Sequence, residues 1–315
     1  MKKMAFIVTL LAMALTGTAQ ERVFAPSGTF KFADRDTCSL YLDIYRPAEG
    51  SRTSIDGREK PTVLFIFGGG FVGGERNNAH ERQWYKRLTD EGYPVVAIDY
   101  RLGLKGYNNG FGMAFIHAVQ HAIDIAVDDL FSATLWLLEH GREYGVDAAN
   151  MVVSGSSAGA ITALQAEYEI ANRSERAASI PEGFNYAGVM AFSGALYSFQ
   201  GGPWYKNQPC PTLLFHGTDD KIVPYKKMKL GRLFFGGLDP LAKMYKKKGY
   251  NYQAIRFDGH GHEIASCMMH LIHEELRFME TNVMRNAKYI IDHTVDDPTI
   301  PIPDWAKMDY KAIYE

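Results

Sequence analysis

The segment Gly155-Ser156-Ser157-Ala158-Gly159 constrains the fold of this chain more than any other. Ala149-Asn150-Met151-Val152-Val153-Ser154 precedes it and reads as a short apolar strand; Ala160-Ile161-Thr162-Ala163-Leu164-Gln165-Ala166 follows and opens a helix. Two glycines around a serine, between a strand and a helix, let the backbone turn sharply and hold the serine in a strained conformation. Two further stretches also follow apolar runs. His216-Gly217-Thr218-Asp219-Asp220 comes after Leu213-Leu214-Phe215, and Gly259-His260-Gly261-His262 comes after Tyr252-Gln253-Ala254-Ile255-Arg256-Phe257. In order, the three offer a serine, an acid and a histidine at strand ends, where a parallel sheet presents its ligands. A hydroxyl attacks a carbonyl at neutral pH only when a base takes its proton, and the base needs an acid to fix its tautomer. Ser157 is the candidate nucleophile; Ser154 and Ser156 are read as serving the backbone.

A fourth element supports this. Pro61-Thr62-Val63-Leu64-Phe65-Ile66-Phe67 is a continuous β run, and Gly68-Gly69-Gly70 follows at once. Glycines let N–H groups approach a reacting oxygen, and donors placed there stabilise the oxyanion of a tetrahedral intermediate. With this loop and the order Ser, acid, His, the chain resembles the α/β-hydrolase superfamily, and within it esterases and lipases with a His-Gly-Gly-Gly loop. The resemblance runs from about Leu40 to Met279. It implies an α/β fold: a mostly parallel central sheet with helices on both faces and small cap insertions. It also implies Gly69, Gly70 and Ala158 as oxyanion donors and requires no metal or organic cofactor. The family's histidine before the glycines is Phe67 here, so its brace on the loop must be replaced, by a packed aromatic contact from Phe67 or by a hydrogen bond from a neighbouring loop.

In similar esterases and exopeptidases the acid lies in His-Gly-x-x-Asp ahead of a valine and a proline. That implies Asp220, ahead of Val223-Pro224, with Asp219 as the alternative in a turn or cap role. His216 is read as a packed residue at the strand end. The family's Gly-His after the last strand matches Gly261-His262, with His260 as the alternative base. A metal role for His260 and His262 finds little support, because a His-Glu-x-x-His pattern and cysteine pairs are absent.

The chain opens Met1-Lys2-Lys3, runs apolar to Leu15 and turns small and polar through Thr16-Gly17-Thr18-Ala19-Gln20. This is the order of a secretory signal peptide, too short for a membrane span, with cleavage expected near Ala19 or Gln20. The expectation is therefore an exported protein, periplasmic or secreted. The remainder, about 295 residues, suits one α/β domain. With 34 basic and 36 acidic residues interspersed, nothing suggests a nucleic-acid surface. Lys226-Lys227-Met228-Lys229 and the lysines from Lys243 to Lys248 read as solvated helix faces. Cys38, Cys210 and Cys267 are too few and too separated to dictate a pairing; one disulfide or three free thiols both fit.

Strands are expected at Ser39 to Tyr45, Tyr93 to Tyr100 and Tyr186 to Gly194, and helices at Glu81 to Asp90 and Val127 to His140. Asp99-Tyr100-Arg101 is read as structural. Two insertions, Gly103 to Ala126 and Tyr197 to Pro211, are rich in aromatics and follow strands on the catalytic side, where lids and binding loops belong. The section from Thr281 to Glu315 resembles no part of the family and is expected to wrap over the surface in extended form. The function so implied is a serine carboxylic-ester hydrolase acting on small-molecule or oligosaccharide esters, acetyl or feruloyl esters of carbohydrates by analogy. A prolyl-oligopeptidase-type exopeptidase and a non-catalytic binding protein are the alternatives.

Overall fold

The computed structural model describes residues 24–199, 201–202 and 204–314, so the expected signal segment lies outside the described residues. Fourteen strands and six α-helices follow one another along these residues. β1 (Gly28–Asp34) and β2 (Ser39–Tyr45) form an antiparallel pair, and β3 (Ser54–Ile55) and β4 (Arg58–Glu59) a small hairpin. Then come β5 (Thr62–Ile66), α1 (Ala79–Asp90), β6 (Val95–Ile98), α2 (Met113–His140), β7 (Met151–Ser156), α3 (Ala158–Asn172), β8 (Gly188–Phe192) and β9 (Leu196–Ser198). β10 (Thr212–Gly217), β11 (Lys227–Leu230), β12 (Leu233–Gly236), α4 (Leu238–Lys248), β13 (Tyr252–Phe257), α5 (Ile272–Phe278), β14 (Ile291–Val295) and α6 (Lys311–Tyr314) complete the order.

Nine strands make the central sheet, in the order β1-β2-β6-β5-β7-β8-β10-β13-β14. The first two pairings are antiparallel and every later one is parallel. Every residue of β5, β6, β7, β8 and β10 is buried. These are the continuous apolar runs that a parallel sheet covered on both faces demands. Trp84 of α1 shows how a helix is fixed there: its ring meets Phe65 and Phe192, and its indole N–H donates to Glu275 of α5 at 2.7 Å.

Three expectations need correction. The helix expected from Val127 begins at Met113, so the second half of the first insertion is roughly its first four turns. No side chain caps it: Gly112 stands at the N-cap. Lys227 and Met228 lie not on a helix but on β11, which with β12 and β9 forms a separate three-stranded antiparallel cap sheet. Finally, the tail is not merely extended: β14 adds a ninth strand, parallel to β13, with Ile255 opposite His293. The expected strands match β2, β5, β6, β7, β8, β10 and β13 to within a few residues.

Candidate active site

Ser157 sits between β7 and α3 at φ 51°, ψ −116°. A non-glycine residue in this region is strained by about 1–3 kcal/mol and persists only where its surroundings over-determine it. Here they do. The Ser157 N–H donates to the Phe192 carbonyl at 2.9 Å, and its own carbonyl accepts from Ile161 at 2.9 Å. A Cβ on Gly155 would lie 2.3 Å from the Gly159 carbonyl carbon, and one on Gly159 would lie 2.0 Å from the Ile66 oxygen, so both positions admit only glycine. Ser156 Oγ donates to the Ala265 carbonyl at 2.8 Å, tying the turn to the segment after His262.

The Ser157 hydroxyl is 2.8 Å from His262 Nε2, and His262 Nδ1 is 2.7 Å from Asp220 Oδ2. Both donors fit one tautomer: Nδ1–H donates to the carboxylate and Nε2 accepts from the serine. Asp220 is fixed from three sides. Its Oδ1 accepts the N–H groups of Ile222 and Val223, each at 2.9 Å, while Oδ2 also lies 3.3 Å from His216 Nε2. Burial by itself would raise this carboxyl; the hydrogen bonds from His216 and His262 outweigh it and hold the group well below the carboxylate range. His216, read from sequence as a packed residue, is buried and also 3.1 Å from the Val223 carbonyl. It is thus a second histidine on the same carboxylate.

The alternatives lie elsewhere. Asp219 is exposed, with its backbone N–H on the His260 carbonyl at 2.8 Å. His260 Nδ1 faces Glu263 Oε1 at 2.8 Å, and Glu263 also accepts the Gly261 N–H at 2.9 Å, which shapes the turn carrying His262. The two histidines therefore face different carboxylates and do not converge as ligands. Cys38, Cys210 and Cys267 are all free thiols.

The glycine loop after β5 packs directly on the serine: a Cβ on Gly68 would lie 3.3 Å from Ser157 Cβ. The carbonyls of Gly69 and Gly70 are already engaged by other donors. The first accepts from Val72 and Gly73, and the second accepts from the Tyr314 hydroxyl at 3.0 Å. The N–H groups of Gly69, Gly70 and Ala158 have no acceptor among the described residues. A ring contact and hydrogen bonds, both from Tyr100, hold the start of this loop. The Phe67 ring packs on Tyr100 at 4.5 Å, and the Tyr100 hydroxyl donates to the carbonyls of Phe67 (3.1 Å) and Gly68 (3.2 Å). Burial raises the Tyr100 phenol far above its ordinary range, so it remains a donor at any working pH. Asp99, next to it, accepts from Arg76 at 2.7 Å and is structural.

Two cavities meet at Ser157. One, of about 720 Å³, is largely apolar and is lined by Gly70, Ala158, Phe115, Tyr197, Phe235 and Tyr310 among others. The other, of about 340 Å³, is bordered by Gly68, Gly69, His262, Trp305 and Ile313. The C-terminal residues in both walls had no signal in the sequence, since Tyr314 meets Gly70 across 244 positions.

Residues 42–195 match the family model described as BD-FAE. The chain is 35% identical over 107 residues to esterase LipI of Mycobacterium tuberculosis, covering 34% of this chain and 28% of that protein. It is 30% identical over 144 residues to an ethyl acetate hydrolase of Pseudomonas putida, covering 46% and 39%. With the chlorogenic acid esterase of Aspergillus niger it shares 28% identity over 180 residues, covering 56% and 30%. The matched part thus spans less than half the length of each of these relatives. Among solved structures, the apo form of esterase 2 from Thermogutta terrifontis superposes with a TM-score of 0.57 at 21% identity, covering 82% of this chain and 95% of that one. Its butyrate-bound form gives 0.56 at 20% identity, covering 80% and 93%. The fold is that of the α/β-hydrolases.

Proposed function

We propose that this chain is a serine carboxylic-ester hydrolase with Ser157 as nucleophile, His262 as general base and acid, and Asp220 as the group that orients the base. One observation carries the reading: a serine at φ 51° between strand and helix, joined through His262 to a buried carboxylate by contacts of 2.8 and 2.7 Å. His262 Nε2 takes the hydroxyl proton as Oγ attacks the ester carbonyl. The N–H groups of Gly69, Gly70 and Ala158 receive the developing oxyanion; a single such donor is typically worth about 10²–10³ in rate. His262 then gives its proton to the leaving alcohol, and water releases the acid from Ser157 through the same base.

The proton must pass to the alcohol from Nε2. His262 borders the smaller cavity, so the alcohol belongs there and the acyl group in the apolar one. A cavity of about 720 Å³ with aromatic walls takes an acyl group as large as feruloyl. This supports acetyl or feruloyl esters of carbohydrates as substrates, in keeping with the matched BD-FAE model and the relative named chlorogenic acid esterase. The same reading makes the protein exported, on residues 1–20 alone; N-terminal sequencing from its native host should begin near Gln20 or Glu21.

A fluorophosphonate probe tests the core of this. It should label the protein on Ser157, and Ser157→Ala should abolish both labelling and hydrolysis of acetyl and feruloyl nitrophenyl esters. A label mapped to Ser154 or Ser156 refutes the nucleophile. Turnover of an aminoacyl nitroanilide instead of the esters refutes the substrate class.

A further inference from the structure

The residues around the two cavities do not all come from the hydrolase fold. Beyond β14 the chain returns to the cleft and crosses it. The turn Asp304–Lys307 lies on the loop that carries the base: Ala306, itself buried, has its carbonyl oxygen 2.2 Å from where a Cβ on Gly261 would sit. Further on, Ile313 Cγ2 lies 2.8 Å from where a Cβ on Gly70 would sit, and the Tyr314 hydroxyl donates to the Gly70 carbonyl at 3.0 Å. The segment thus rests on both the oxyanion loop and the histidine loop, at two positions without a side chain.

Its apolar and aromatic side chains are shared out in a definite way. Tyr310 and Tyr314 face the larger cavity, and Trp305 and Ile313 the smaller. Tyr310 meets Phe111 at 5.5 Å and Phe115 at 6.1 Å, and Tyr314 stands edge-on to Phe115 at 5.0 Å, so the aromatic wall is built jointly with the start of α2. Burial raises the Tyr314 phenol to about 12, which keeps it a donor to Gly70 at neutral pH.

We propose, resting on the esterase reading, that residues 304–314 are part of the substrate site: they form the wall dividing the space over Ser157 into acyl and alcohol pockets. In this wall Tyr310 is a specificity-determining residue for large aromatic acyl groups. Tyr314 is a positioning residue, whose hydroxyl fixes the Gly70 carbonyl and with it the orientation of the neighbouring N–H groups toward the oxyanion.

The two roles separate in full-length variants. Tyr310→Ala should lower kcat/KM for a feruloyl nitrophenyl ester about tenfold more than for the acetyl ester, the discrimination expected of one aromatic contact. Tyr314→Phe keeps the ring and should leave that acyl ratio unchanged. It should lower kcat about tenfold for both esters with KM unaltered, as loss of a transition-state interaction does. A second measurement needs no turnover: cinnamate binding to Ser157→Ala, followed by calorimetry, should weaken about tenfold when Tyr310→Ala is added. Weaker cinnamate binding in a protein that hydrolyses no ester keeps the wall and sinks the esterase reading alone. Cinnamate binding that is equal with and without Tyr310, or absent in both, overturns the wall. So does faster turnover of the feruloyl ester in Tyr310→Ala, which would make the segment an obstacle.

Discussion

Tyr100→Phe is the sharpest probe of the glycine loop and its proposed oxyanion role, because it removes one oxygen and nothing else. The ring is 3% exposed, and its stacking on Phe67 at 4.5 Å and edge contact with Phe71 at 6.1 Å do not need the hydroxyl. What disappears is a proton shared between the Phe67 and Gly68 carbonyls. A hydrogen bond contributes about 1 kcal/mol net, and a buried carbonyl left without its donor costs about 1–3 kcal/mol. Stability should therefore fall by roughly 1–3 kcal/mol, a lowering of about 2–4 °C in Tm per kcal/mol for a domain of this size. The catalytic effect is separate. If the loop relaxes enough to lose about half of one oxyanion donor's contribution, kcat falls about tenfold, equivalent to about 1.4 kcal/mol in the barrier. KM should hardly move, because the loss is confined to the transition state. Since the phenol does not ionise at any working pH, the effect should be flat across the pH profile. The assay is nitrophenyl acetate hydrolysis alongside calorimetric unfolding. A lowered Tm with wild-type kcat would make the hydroxyl purely structural; wild-type values of both would refute the brace altogether.

Further outcomes follow from the same geometry. His262→Ala should lower kcat/KM by about 10³-fold or more, whereas His260→Ala, which disturbs only the turn held by Glu263, should cost far less; a reversed order would shift the base by two residues. Asp220→Asn should lower kcat strongly, while the exposed Asp219→Asn stays near wild type. His216→Leu should make acid unfolding begin at a higher pH. The depressed carboxyl of Asp220 stabilises the fold above its unfolded pKa of about 3.9 and loses that contribution as pH falls through the folded value, so removing a donor from it moves the loss upward; an unchanged acid limb would detach His216 from the carboxylate. Glu167 is buried in α3 and raised by burial to about 7, with Oε2 unpartnered among the described residues. A raised carboxyl stabilises below its unfolded pKa and loses that as pH rises toward 7, a difference on the order of 3 kcal/mol. Glu167→Gln should flatten the slope of stability between pH 5 and 7, which chemical denaturation would read directly.

Much of the frame was legible because burial on both faces leaves an unmistakable mark. The runs in β5, β7 and β10 carry no Asp, Glu, Lys or Arg, and glycine-rich turns follow them. The start of α2 was not legible, since Gly112 gives no capping signal and the glycines before it resemble a loop. β11 left a faint signal that could have found it: Met228 and Leu230 recur at period two, and Gly231 at positive φ closes the turn to Leu233. β14 escaped because an edge strand with both ends only half-buried and an exposed middle has no apolar run to read. Chain order at strand ends offered a serine, an acid and a histidine, but only the family resemblance preferred Asp220 to Asp219 and His262 to His260; in the structure Ser157, His262 and Asp220 meet. Tyr100 and the C-terminal segment make contacts that exist only once distant loops meet, whereas His216 meets Asp220 and Val223 of the turn that follows it.

Pinning β14 to the sheet edge turns the last residues into a tether. Roughly 15 residues separate Val295 from Tyr310, and a flexible chain of that length has an r.m.s. reach of about 20 Å. Such a tether holds its end at an effective concentration in the millimolar range. A segment whose free peptide would bind the cleft only at about 1 mM, some 4 kcal/mol of contact, is then seated about half the time. Each added contact moves that occupancy steeply. At an affinity of that order, seating over the serine would be a graded quantity, retuned by one substitution in a stretch of which only Ala306 belongs to the buried core.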